Sequence, residues 1–239
     1  MSIGDTAAEL TQMARSATDA LGYFPALYTG VTTRVADSIA GGGFDDGPRM
    51  DDVATTFAAY YLRAWPSATG RPQCWQACWN VAGDGDLLIV QHLLLGINAH
   101  VNHDLPMAVV DVARRVGDLA AIRGDFDAIN DVLAADLTTT LRQLDRVARW
   151  TNQAALLGGG RLFNFSLQVA RQQAWAAAQR LYAMNDAAAE AAYVAELDRL
   201  VSVVAYLIVR PSPTLRPLLW LVRRSEERDP RKVTAALLS

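Results

Sequence analysis

All three histidines of the chain, His92, His100 and His103, lie within one short stretch, QHLLLGINAHVNHDLP, and Asp104 follows the last of them. Imidazole changes protonation near neutral pH, so a histidine beside a carboxylate is a pairing suited to moving protons or binding transition metals. His100 and Asp104 are spaced i, i+4, which stacks them on one face of a helix, as in helical two-histidine zinc motifs. They are the candidate catalytic pair and the first two candidate metal ligands. His92 stands eight residues before His100, about 12 Å along a straight helix, whereas metal–ligand bonds are near ~2 Å. One ion cannot take both, so His92, and His103 beside Asp104, are read as supporting positions around the pair.

Further carboxylates must then come from another segment. RGDFDAIND supplies Asp125 and Asp127, which are expected to complete the metal shell with His100 and Asp104. A donor set of imidazole and carboxylate leaves zinc, manganese and iron all open. Asn98 and Asn102 form a second i, i+4 pair on roughly the opposite face. They are expected to position the helix or the substrate, since a buried amide without partners costs about 1–3 kcal/mol. Arg171, in ARQQAW, is expected either to pair with Asp104 or to orient a substrate carboxylate. Cys74 and Cys78, also i, i+4, sit near the geometric limit of a disulfide and read as buried free thiols rather than half a zinc site.

The elements that must hold these groups read as helices nearly throughout, because apolar residues recur at three- and four-residue spacing on segments rich in Ala, Leu, Arg and Gln. The expected helices cover about 4–20 and 24–40, then a segment capped by Asp51 or Asp52 and ended by Pro66. Another begins with Pro72. A polar central helix runs from about 85 to 104, with Pro106 kinking it or separating a following helix at about 106–116. A long helix reaches Trp150, and helices at about 162–183 and 186–209 follow. Asn98, His100, Asn102 and Asp104 also alternate at period two, as a strand would, but the flanking residues lack strand punctuation. Residues 1–239 thus form one all-α domain, a multi-helix bundle with a buried polar central helix, its tail from about 211 to 239 peripheral.

The string LLLGINAHVNHDLPMAV resembles the signature of the bacterial domain of unknown function family 5995, which reads G-x-N-A-H-x-N-x-D-L. The pattern falls on Gly96, Asn98, His100, Asn102 and Asp104, and His103 takes a variable position. FAAYYLRAW upstream, then DFDAIN and ARQQAW downstream, extend the resemblance over most of the chain. It implies an all-helical domain and brings no settled activity. More loosely, His100, Asp104 and Pro106 resemble pieces of the zinc-dependent phospholipase C and nuclease group, whose many other histidines are missing.

Composition narrows the partners. A formal charge of −3 and a pI near 5.6 give no basic footprint for nucleic acid. The most apolar run, LVSVVAYLIV, is about half the length that spans a bilayer, and the beginning of the sequence lacks the pattern of a leader, so a cytoplasmic protein is expected. A serine-hydrolase elbow, a P-loop and a dinucleotide fingerprint are all missing. Tyr60, Tyr61, Trp65, Trp75, Trp79, Trp150, Phe163, Phe165 and Trp175 could wall a cavity for an apolar or aromatic small molecule. The leading expectation is therefore metal-assisted hydrolysis of such a molecule at His100 and Asp104. Two alternatives stand beside it: an isomerase, cyclase or lyase using His100 as general acid and base without a metal, and a non-catalytic helical ligand-binding or scaffold protein. A homo-oligomer is compatible with each.

Overall fold

The computed structural model describes residues 2–65, 69–148 and 159–239, with their side chains except at 135–138, 159–165 and 216. The chain folds into helices α1 (Ile3–Ser16), α2 (Tyr23–Ala40), α3 (Gly47–Ala64), α4 (Gln73–Asn80), α5 (Ile89–Ala99), α6 (Leu105–Val116), α7 (Arg123–Asp145), α8 (Gly159–Tyr182), α9 (Ala187–Val209), α10 (Arg216–Arg223) and α11 (Pro230–Leu237). The described residues form no β-strand, only an isolated bridge between Ala148 and Glu226. Trp150, the expected end of the seventh helix, lies outside the described residues.

The central element is α5 and α6 joined end to end by a single π turn, His100–Asp104. Within it the Leu105 N–H donates to the His100 carbonyl, five residues back instead of four. Pro106 explains the widening. Proline has no N–H and its ring crowds the carbonyl one turn earlier, so an unaltered α-helix would be strained here. The extra residue in the turn accommodates this, and Pro106 then sits in the first turn of α6, where no N–H is needed. The expected kink or break is thus replaced by a continuous rod with one inserted residue, a feature frequent at functional sites.

The rod is anchored at both ends. Its first N–H, on Ile89, donates to Oε2 of the buried Glu226 at 3.1 Å, placing a carboxylate at a helix N-terminus where the dipole favours it. Its last turn closes at Gly117, whose φ of +84° only glycine adopts without strain. Glu226 belongs to the segment expected to be peripheral, and α11 beyond it buries Val233 and Leu237 against Tyr23, Ile89 and Leu93. This part of the tail is therefore integral to the core. By contrast, Leu218, Trp220 and Leu221 of α10 are exposed.

Around the rod, α3, α6, α7 and α8 share a largely aliphatic core that includes Met50, Val109 and Val112 beside Phe126 and Trp175, while α1 to α5 and α9 share one richer in aromatic rings that includes Phe24, Tyr28, Tyr61 and Trp75. The start of α3 differs from expectation. Asp46 caps it by accepting from the Arg49 N–H, and Pro48 takes the first turn, so Asp51 and Asp52 are already helical. Asp51 instead accepts the Ile3 N–H and Asp52 pairs with Arg115. Among the described residues no helix is long and apolar enough to cross a membrane.

Candidate functional site

The π turn turns Asp104 into the hub of a buried network. Its Oδ2 accepts from Trp75 Nε1 of α4 at 2.9 Å and from His100 Nδ1 at 3.0 Å, and its Oδ1 accepts from His103 Nδ1 at 2.8 Å. A buried ionised carboxylate costs several kcal/mol of desolvation, against which hydrogen bonds to a charged group contribute about 1.5–3 kcal/mol each. Three of them decide the balance. Burial alone would raise the Asp104 carboxyl, but the bonds from His100 and His103 outweigh it and hold the group below the usual carboxylate range.

His100 is consequently fixed in one tautomer. Nδ1–H donates to Asp104, which leaves Nε2 as the basic nitrogen, and Nε2 is buried without a hydrogen-bond partner. Burial outweighs the neighbouring carboxylate and pushes the imidazole below its ordinary value, so the ring is neutral at pH 7. Aromatic rings hold it on every side. Phe57 stacks flat on it at 3.6 Å between centroids, Tyr28 meets it edge-on at 4.6 Å, and Phe24, Tyr61 and Trp75 stand within 6.1 Å. Phe24 reaches this position because residue 96 is glycine: a Cβ there would fall well inside contact with the Phe24 ring and its own Cβ.

His100 also lines a cavity of about 150 Å³ between α2, α3, the rod, α7 and α8, whose wall is almost wholly apolar, with Val31, Val53, Phe57 and Leu133 among its residues. An apolar cavity of that size holds a benzene-sized molecule. The remaining polar groups in its wall are few. Thr32 Oγ1 is buried, with the Tyr28 hydroxyl as its polar neighbour. Arg171 is buried too, with Nε donating to Asn130 Oδ1 at 2.9 Å, Nη2 donating to the Phe126 carbonyl, and its guanidinium over the Phe126 ring. Both hydrogen-bond acceptors are neutral; the carboxylate whose field reaches this cation is Asp127, which forms its own ion pair with Arg123. Burial lowers its pKa to about 10, which still leaves it charged at neutral pH.

Other expected site residues take different places. Asp125 accepts from the Asp45 and Asp46 N–H groups at 2.7 and 3.1 Å and from Arg49 Nη2 at 2.9 Å, so it ties the loop before α3 to α7. Asp127 is paired with Arg123 on the surface at 2.7 Å. The expected metal shell of His100, Asp104, Asp125 and Asp127 is therefore not assembled: the one group of three or more His, Cys, Asp or Glu ligand atoms gathered within 4.8 Å among the described residues is Cys74, His103 and Asp198. Asn98 donates to the Val201 carbonyl of α9 and accepts from Asn102, which makes the pair a stitch between helices away from the cavity wall. His92 packs edge-on against Tyr23, apart from Asp104. Arg171 bonds Asn130 rather than Asp104.

Sequence reasoning missed Phe24, Tyr28 and Phe57, the rings nearest His100 along with Tyr61 and Trp75. A signal was present: Phe24 with Tyr28, and Phe57 with Tyr61, are i, i+4 aromatic pairs on successive helices. Of the expected aromatic wall, Trp150 and the side chains of Phe163 and Phe165 lie outside what is described.

The fold and site together define an all-α bundle with an aspartate-anchored, aromatic-caged histidine at the wall of an apolar cavity. Residues 3–211 match the model of the Family of unknown function (DUF5995), and the chain belongs to that family. No curated protein and no solved structure matches it.

Proposed function

We propose that the chain is an enzyme acting by proton transfer at His100 on a small, largely apolar or aromatic molecule that carries one anionic group. The observation that carries this reading is that His100 and Arg171 line the same apolar cavity and each lacks the direct partner its burial calls for among the described residues: Nε2 has no donor, and the guanidinium, reached by the field of Asp127, touches no carboxylate. An unpaired buried polar atom costs about 1–3 kcal/mol and an unpaired charge more, so a ligand supplying both partners recovers that energy. Asp104 orients the imidazole and stabilises its cationic form when Nε2 takes a proton. Isomerisation or elimination beside a carboxylate is the economical chemistry.

Metal-assisted hydrolysis at His100 and Asp104 has less support, because both Asp104 oxygens are already engaged by N–H donors and Asp125 and Asp127 serve other contacts. The test is a panel of small aromatic and branched carboxylic acids with their neutral isosteres, followed by NMR for binding and for uptake of solvent deuterium at carbon. Binding of acids but not isosteres, with exchange lost in His100→Gln of unchanged fold, supports the reading. Binding without exchange leaves a ligand-binding protein, and no preference for acids sinks the role given to Arg171. A homo-oligomer, compatible with the sequence, would have a candidate surface in exposed Leu200, Val203 and Leu207 of α9 and Trp220 of α10, to be checked by light scattering.

A further inference from the structure

Three helices converge on a second set of polar side chains outside the cavity wall. Cys74 lies in the first turn of α4, His103 in the π turn and Asp198 on α9, and their ligand-type atoms all fall within 4.8 Å of one another. We propose that Cys74 Sγ, His103 Nε2 and Asp198 form a binding site for a transition-metal ion, zinc by preference. Bonds of about 2.0–2.3 Å around a tetrahedral ion put its ligand atoms roughly 3.3–3.8 Å apart, so closure asks for about an ångström of side-chain movement. A set of one thiolate, one imidazole and one carboxylate suits zinc and disfavours magnesium or calcium, which demand oxygen ligands.

The outer atoms of the ligands are already held as a metal site requires. His103 donates Nδ1–H to Asp104 Oδ1 at 2.8 Å, which leaves Nε2 as the coordinating nitrogen, the carboxylate–histidine–metal arrangement. Asp198 accepts from the Gln73 and Cys74 N–H groups at 2.8 and 2.9 Å, one bond to each oxygen, and also from the Cys74 thiol, whose S–H is the bond a metal would replace. That cap alone accounts for Asp198 and the thiol beside it. It does not account for an imidazole arriving from a third helix with its far nitrogen fixed by a buried carboxylate. Cys74 and His103 are buried while Asp198 is half-buried, so an ion enters from the Asp198 side and solvent completes its shell. Binding breaks the Cys74 S–H bond and forms S–metal, with the proton released to solvent, so affinity rises with pH.

The experiment is titration of the reduced full chain with cobalt(II) and with zinc. One equivalent of cobalt should give thiolate charge-transfer absorption in the near-ultraviolet, displaced by zinc, in the wild type and in Cys78→Ser, and none in Cys74→Ser. His103→Gln and Asp198→Asn should each weaken zinc binding tenfold or more while circular dichroism is unchanged. Should Cys74→Ser fail to fold, X-ray absorption at the zinc edge of the loaded wild type decides alone, with one sulfur and lighter N/O neighbours expected. A shell without sulfur, a band retained in folded Cys74→Ser, or no binding by the wild type overturns the proposal. None of these readouts depends on the acid–base chemistry assigned to His100.

Discussion

Phe57 lies flat on His100, with ring planes 6° from parallel and centroids 3.6 Å apart. The hydrogen bond to Asp104 sets one end of the imidazole, and the stack removes the remaining rotation about it, so Nε2 is aimed by packing and not by a second polar contact. Burial also keeps the ring neutral. Phe57→Leu keeps an apolar residue there but opens the flat contact. The His100 pKa should then rise toward 6.5, because relief of desolvation favours the charged form. NMR titration of the assigned His100 ring reads this directly; a pKa unchanged or lower in the variant would show that Phe57 plays no part in holding it down.

Gly96 and Phe24 make a second packing relationship with a definite sign. In an exposed helix glycine to alanine gains up to about 1 kcal/mol of propensity. Here the added methyl would overlap the Phe24 ring and its Cβ, which cannot swing aside as the tip of a long side chain could. Overpacking of this kind costs about 1–3 kcal/mol. Gly96→Ala should thus lower stability in urea denaturation despite its better propensity, and Phe24→Ala combined with Gly96→Ala should cost less than the two changes summed.

The part of this site that could be read in the sequence is the part set by local spacing. The i, i+4 relation of His100 to Asp104 holds in the structure, as does the helical character of its flanks, because both depend on residues one turn apart. Pro106 was visible too, but whether it breaks a helix or widens one turn depends on what else holds the rod: Glu226 at one end and α3, α8 and α9 along it. The inserted residue rotates everything beyond the turn, and Asp111 on the far side accepts from Tyr60, apart from the network around Asp104. Asp125 looked like a metal ligand for a related reason. Its partners, Arg49 and two loop N–H groups, lie roughly 80 residues away in sequence, and nothing local distinguishes a carboxylate that binds an ion from one that binds a loop.

Buried histidines also set an acid limit on the fold. His92 and His100 are both pushed below 6.5, chiefly by burial. The unfolded chain takes up protons on these rings near pH 6.5, while the folded chain resists until lower pH, so stability is complete above about 6.5 and falls as pH drops below it. Carboxylates held low, Asp104 among them, contribute loss only in the more acid range below their ordinary values. Melting temperature should therefore decline between pH 6.5 and 5, with a shallower slope in His92→Phe. An identical slope in that variant would assign the decline to other groups.

Arg171 gives a prediction in which stability and function move apart. Its guanidinium is buried, bonded to an amide and a carbonyl, and in no direct ion pair among the described residues, with the field of Asp127 as its electrostatic support. Desolvating a cation costs several kcal/mol, which neutral acceptors and one aromatic face offset only in part. Methionine has similar reach and no charge to desolvate, so Arg171→Met should leave stability within about 1 kcal/mol of the wild type or raise it, as when buried ion pairs elsewhere are replaced by apolar side chains. If the cation is retained to meet a ligand anion, the same change should weaken binding of benzoate-sized acids by tenfold or more and leave neutral isosteres unaffected. Urea denaturation and calorimetric titration on one preparation read both quantities. A large loss of stability with ligand preference intact would make Arg171 a structural tie between α7 and α8, and the anionic group would then have to be dropped from the description of the substrate.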